Sequence, residues 1–518
     1  MRTPNLSLAA LALAVVPLLA ACSSGTSASY PPSQVQPPAH HYPTPEPYPP
    51  YEPEATAPAP TPYDGVTYED PGVNPFVPTE RDRESTFGLD VDTASYAIAR
   101  RYLEDGNLPD PSSVRVEEFV NAFPHDYPAP RDGTFALYAD GGPSPFLSRD
   151  EVLLRLGVKA REVSDAARKP ASLTFVIDTS GSMEREDRLG LVKRSLTLLV
   201  DRLGRDDTVA IVTYGSDARV VLEPTSVRDG GRIVDAIDAL HTDGSTNAEA
   251  GLALGFGLAA HAFREDGINR VILASDGVAN TGETDPDAIL HRVHWDASLG
   301  IQLVTVGFGM GNYNDALMEQ LADKGDGFYA YVNTLDDART LFGEQLTSTL
   351  QTVALDARAQ VEFDPALVES YRLVGYENRD LPDEAFRDDR VNAGAIGAGH
   401  SVTALYALRL TGERQLFNDT LGTLRLRWTD PGEREAGEIS LEIRAGDLAT
   451  DFEETAASFR LDALVAAAAE VFRGSRWADE YRIRDVAQVA SEESRDLPRT
   501  VETDDFLRLL DRAASLER

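Results

Sequence analysis

Residues 172–183 read Ser172-Leu-Thr-Phe-Val-Ile-Asp178-Thr-Ser180-Gly-Ser182-Met183. An unbroken apolar run that stops abruptly at polar residues predicts a strand buried on both faces. Comparable runs follow at 208–213, 270–274 and 301–306, and residues 219–222 add a short candidate edge strand. Between them, 189–203, 233–240 and 248–263 space their apolar residues near the helical period. Strands of this kind alternating with helices predict a doubly wound, mostly parallel α/β sheet covered on both faces. Ligands of such sheets bind at the carboxyl ends of the strands, beside the point where the strand order reverses.

Three polar segments fall at that rim: Asp178-Thr-Ser180-Gly-Ser182-Met183, Asp243-Gly-Ser245-Thr246-Asn247 and Ser275-Asp276-Gly277-Val278. They bring carboxylates and hydroxyls but no imidazole or thiol. Hard oxygen donors suit Mg²⁺, Mn²⁺ or Ca²⁺ rather than zinc or copper. The same residue types also cap helices and satisfy loop amides, so Asp178, Ser180 and Thr246 have a purely structural alternative. In order and type the segments resemble the metal-ion-dependent adhesion site of the von Willebrand factor type A family. That site reads Asp-x-Ser-x-Ser, then a threonine, then an aspartate. The resemblance implies one divalent cation, foremost Mg²⁺, held by Asp178, Ser180, Ser182, Thr246 and Asp276. The hydroxyls would touch the ion and the aspartates would act in part through water. It also implies a protein partner that presents an acidic residue to the metal. The resemblance covers about 170–350.

Outward from this body, the chain has 518 residues, enough for about three domains. Its 48 basic and 85 acidic residues leave a net charge of −37, which disfavours nucleic acid as a partner. The single cysteine, Cys22, excludes intramolecular disulfides and cysteine-based zinc clusters. Residues 6–21 form an apolar run behind Arg2, too short to span a bilayer and suited to a signal-peptide core. The run ends Leu19-Ala20-Ala21-Cys22, which resembles a bacterial lipobox. Residues 1–21 are therefore expected to be a signal peptide and Cys22 to carry the lipid of a membrane anchor. Ser23 behind the cysteine favours the outer membrane over the inner one. Residues 31–62 contain thirteen prolines and no Lys or Arg, so 22–80 reads as an extended tether.

Residues 81–165 resemble the accessory region that precedes this domain in bacterial, often lipid-anchored, members of the family. Within it, Asp90-x-Asp92 superficially suggests a haloacid dehalogenase nucleophile, but Ala94 stands where that motif needs Thr or Val, and a helix cap or strand-end turn is the expectation. Alternation in 402–410 and 424–428 predicts half-buried antiparallel strands, so 354–455 reads as a β-sandwich-like unit. Runs at 135–138 and 152–156 are expected to join it, making the α/β body an insertion. Residues 456–518 turn helical and resemble the C-terminal region of the same bacterial proteins. His291 and His294 lack the further ligands of a zinc motif and read as surface histidines. No nucleophile with a partnered base appears, so no enzyme activity is expected. The functional expectation is a lipid-anchored cell-envelope protein mediating metal-dependent protein interaction or adhesion. The alternative is an envelope scaffold or assembly factor whose metal is only structural. A hydrolase using the cation as a Lewis acid is a third, without a general base to support it.

Overall fold

Ala171–Asp178 forms a strand whose eight residues are all buried. The computed structural model describes residues 68, 70–89, 91–277, 295, 299–309, 315–388, 390–391, 393–412, 417–432 and 434–517. Across the central sheet the strands run Tyr329–Val332, Gln302–Phe308, Ile268–Ser275, Ala171–Asp178, Thr208–Tyr214 and Ala218–Ser226. The first five are parallel and the last is an antiparallel edge.

Both faces are covered, which is why the strands are apolar throughout rather than alternating. Leu173, Phe175 and Ile177 pack against Leu189, Val192 and Leu196 of the helix Arg188–Arg202. Val176 and Val212 point the other way, onto Leu252 and Phe256 of the helix Ala248–His261. Each such fully buried side chain contributes about 1.5–3 kcal/mol. The doubly wound α/β body expected from the sequence is present, with one strand, Tyr329–Val332, that four residues were too few to announce.

The second face also takes Ala94, Ile98 and Tyr102 from the helix Ala94–Glu104, upstream of the α/β body. The N-cap position of this helix is Thr93, which makes no side-chain cap hydrogen bond, and Asp92 reaches further. Its buried carboxylate accepts from the Tyr329 amide at 2.9 Å and pairs with Arg379 at 3.4 Å, tying the edge strand to the neighbouring unit. Asp90 lies outside the described residues.

The chain enters the α/β body after Glu151–Ala160 and leaves it at Thr352–Phe363, and these two strands lie in facing sheets. One sheet orders Val77–Pro78, Val368–Val374, Ser401–Leu410, Glu151–Ala160 and Phe135–Gly142. The other orders Asp380–Leu381, Glu84–Gly88, Thr352–Phe363, Thr420–Thr429 and Ala436–Arg444, with Ile396–Gly397 beside Thr352–Phe363. The α/β body is thus inserted into a sandwich of antiparallel sheets, with Leu154, Leu156 and Tyr406 facing Val361, Leu424 and Leu426 across its core.

The expectation of half-buried strands holds for Thr420–Thr429, where burial alternates. It fails for Ser401–Leu410, in which Val402 to Leu408 are all buried. The reason is a third layer. Leu153, Leu405 and Ala407 on the outer face of that sheet pack against Phe119 and against Phe459, Leu464 and Ala468 of the helix Ala457–Phe472. The helices Ile483–Glu493 and Val501–Leu516 complete this layer. Its buried charges are paired, as the cost of an isolated buried ion requires: Arg155 with Asp462 at 2.8 Å, and Arg372 with Glu470 at 3.0 Å. Among the described residues no helix is long and apolar enough to cross a membrane.

Candidate metal centre

The strand order reverses between Ala171–Asp178 and Ile268–Ser275, so the chain diverges to opposite sides at their carboxyl ends. Those ends deliver Asp178 and Asp276, both buried. Asp178 is held at both oxygens. Its Oδ1 accepts from the Ser180 amide and its Oδ2 from the Ser275 hydroxyl, each at 2.8 Å. Burial pushes the Asp178 carboxyl up to about 6; hydrogen bonds from Ser180 oppose the rise, the charge of Asp276 adds to it, and Ser275 opposes it further.

The other oxygens form a chain. Ser180 Oγ and Ser182 Oγ stand 2.9 Å apart, and Ser182 Oγ donates to Asp276 Oδ1 at 2.9 Å. Two such links keep the Ser180 hydroxyl within about 6 Å of the Asp276 carboxylate, close enough for both to serve one hydrated ion. Asp276 Oδ2 accepts from Arg188 Nη1 at 2.5 Å.

The segment carrying Thr246 is fastened over the first segment by its backbone. The Gly181 amide donates to the Gly244 carbonyl at 3.1 Å, and the Asp243 amide donates to the Thr179 carbonyl at 2.5 Å. Thr246 itself is buried, one residue ahead of Asn247, whose side chain caps the helix Ala248–His261 by accepting from the Ala250 amide. Gly215, after the strand Thr208–Tyr214, permits this approach: a Cβ there would stand 2.0 Å from the Asp243 carbonyl oxygen. The three expected segments therefore meet at one rim.

The donor set fits a hard divalent ion. It offers two carboxylates and neutral hydroxyls, and among the described residues no cluster of three or more His, Cys, Asp or Glu side chains competes for a metal. A carboxyl whose burial resists ionisation, as at Asp178, is one that a bound cation would stabilise in its charged form.

Two residues of the site carried no role in the sequence reading. Ser275 braces Asp178 from the neighbouring strand. Arg188 shares the buried stripe of its helix with Val192, Ser195 and Leu199, and a lone cation on an apolar stripe was the available signal. Cys22, His291 and His294 lie outside the described residues.

Residues 172–344 match the von Willebrand factor type A domain family, residues 62–155 the family described as von Willebrand factor, and residues 348–516 the family described as uncharacterized protein YfbK, C-terminal. The chain is 37% identical over 464 residues to the uncharacterized protein YfbK of Escherichia coli (strain K12), covering 85% of this chain and 80% of that one. The chain belongs to the YfbK family. It is also 30% identical over 295 residues to the uncharacterized protein sll0103 of Synechocystis sp., covering 55% of this chain and 68% of that one. Among solved structures it is similar to a von Willebrand factor type A protein from Catenulispora acidiphila, with 18% identity and a TM-score of 0.45 over 75% of this chain and 91% of that chain. Domains of the von Willebrand factor type A family serve protein–protein interaction and adhesion in general, and they typically bind a divalent cation.

Proposed function

We propose that this YfbK-family protein is a binding protein of the bacterial cell envelope, anchored by lipid at Cys22, whose α/β domain holds one Mg²⁺ and uses it to grip an acidic side chain on a partner protein. The observation that carries this reading is the linked set Ser180–Ser182–Asp276 at the rim that also holds Asp178. Ser180, Ser182 and Thr246 would supply neutral donors, while Asp178 and Asp276 supply charge. A bound ion with few anionic ligands stays electrophilic and offers a coordination position to a carboxylate. The proposed role is adhesive: Asp178 and Asp276 are both engaged in hydrogen bonds within the site.

Mg²⁺ titration of the purified chain tests the reading. Saturable stabilisation of about 2.7 kcal/mol is expected at a hundredfold excess over Kd, and Asp178→Ala should abolish it. Identical behaviour of the two proteins would count against metal binding at this rim. Partner capture that is indifferent to chelator would favour the scaffold role instead.

A further inference from the structure

We propose that Tyr214 is a positioning residue of the metal centre, its hydroxyl being the donor that steadies the Asp178 carboxylate when the site holds its cation. The inference rests on the metal-dependent reading above and deepens it.

Tyr214, Asp178 and Ser275 stand side by side across three strands. Asp178 is the register partner of Tyr214 in the parallel pair of Ala171–Asp178 with Thr208–Tyr214. On the other side Ile177 is in register with Ala274, which brings Ser275 beside Asp178, where its hydroxyl donates to Oδ2 at 2.8 Å. Residues in register on neighbouring strands project from one face. The Tyr214 ring is buried beneath the helix Ala248–His261, and Gly251 makes the room: a Cβ there would stand 2.7 Å from Tyr214 Cδ1 and 2.8 Å from its Cγ. That helix follows directly on Thr246 and Asn247, so the segment that brings the threonine to the rim also clamps the ring. The phenolic hydroxyl is shut from solvent and has no hydrogen-bond partner among the described residues, while Ser275 and Asp178 both bear on it. A buried hydroxyl without a partner costs free energy that a phenylalanine in the same place would avoid.

Proton counting gives that hydroxyl a use. Ser275 points at two acceptors, Asp178 Oδ2 and the Gly277 carbonyl, and its single proton serves one of them at a time. When the proton goes to Gly277, Asp178 Oδ2 needs another donor, and the Tyr214 hydroxyl faces it from the adjoining strand. With Ser275 donating to Gly277 and Tyr214 to Asp178, both acceptors are filled at once. Hydrogen bonds to the rear of a carboxylate fix its orientation toward a metal, and a phenol does so without adding charge to the site.

The test uses the full chain. Calorimetry reads the Mg²⁺ affinity, urea unfolding in chelator reads stability, and ultraviolet difference spectra read the tyrosines. Tyr214→Phe should bind Mg²⁺ about tenfold more weakly than the wild type, as expected for losing a hydrogen bond behind a metal-binding carboxylate. In chelator the variant should be as stable as the wild type or more so, since it buries no unpaired hydroxyl. Mg²⁺ should move part of the wild-type tyrosine absorption to longer wavelength, the response of a phenol that donates to a carboxylate, and Tyr214→Phe should lack that component. Ser275→Ala removes the competing donor, so Tyr214→Phe should cost more Mg²⁺ affinity in that background than in the wild type. Equal Mg²⁺ affinities with and without the phenol, or a variant that loses stability in chelator and no affinity, would overturn the role of Tyr214 while leaving the metal site standing. If the wild type itself takes no Mg²⁺, the metal-dependent reading fails, and the role of Tyr214 falls with it.

Discussion

The hydroxyl of Ser182 donates to Oδ1 of Asp276 at 2.9 Å, joining segments 94 residues apart at the ends of adjacent parallel strands. The contact exists because Ala171–Asp178 and Ile268–Ser275 are hydrogen-bonded neighbours whose chains part at this rim. It places a neutral donor and a carboxylate side by side at the rim. The rim is pre-organised by the sheet.

Removing the carboxylate should expose how much of the rim depends on charge balance. Asp276→Ala leaves Arg188 buried without the carboxylate it faces. Breaking one side of a buried pair costs about 3–5 kcal/mol, and urea unfolding in the presence of chelator should show a loss in that range. A loss below about 1 kcal/mol would mean that the pair is far better solvated than its burial implies.

A second prediction concerns acid. His400 lies where the sandwich meets the end of the α/β body, and its Nδ1 is shut from solvent without a hydrogen-bond partner among the described residues. Burial, reinforced by the charges of Lys159 and Arg270, pushes the imidazole down to about 4. Unfolded, the same ring titrates near 6.5. Between these values the unfolded chain binds a proton that the folded chain refuses. The contribution of His400 is therefore intact above about pH 6.5 and is lost as pH falls toward 4, by about 2–3 kcal/mol. Comparing urea stabilities at pH 7 and pH 4.5 should show a smaller drop for His400→Gln than for the wild type. Equal drops would assign the acid sensitivity to other groups.

The proposed lipid anchor is tested at Cys22. Expressed in a bacterial host, the wild type should sediment with membranes and release into detergent, because acyl chains contribute about 0.8 kcal/mol per buried methylene. Cys22→Ser should move the protein to the soluble fraction. A variant that stays with the membranes would point to attachment through another part of the chain.

Much of this was legible from residue order. The buried strands of the α/β body were readable because a strand covered on both faces must be apolar along its whole length, as in Ala171–Asp178. The order and residue types of the three polar segments were readable because they are local properties, and two of the segments follow the strands Ala171–Asp178 and Ile268–Ser275. Arg188 was not assigned a role, since its partner lies 88 residues away on another strand. Asp92 was expected to cap a helix or close a turn, yet it binds the Tyr329 amide 237 residues downstream.

The one-dimensional chain thus determined the periodicities, and with them the strands, the helices and the chemistry of the donors, because each depends on neighbours within a few residues. Only the tertiary structure decided which surfaces meet. It buried Ser401–Leu410 on both faces under a helical layer, inserted the α/β body between facing sheets, and set a guanidinium against Asp276. The physical reason is that burial and charge pairing are properties of distant partners brought together, and no local spacing records who the partner will be.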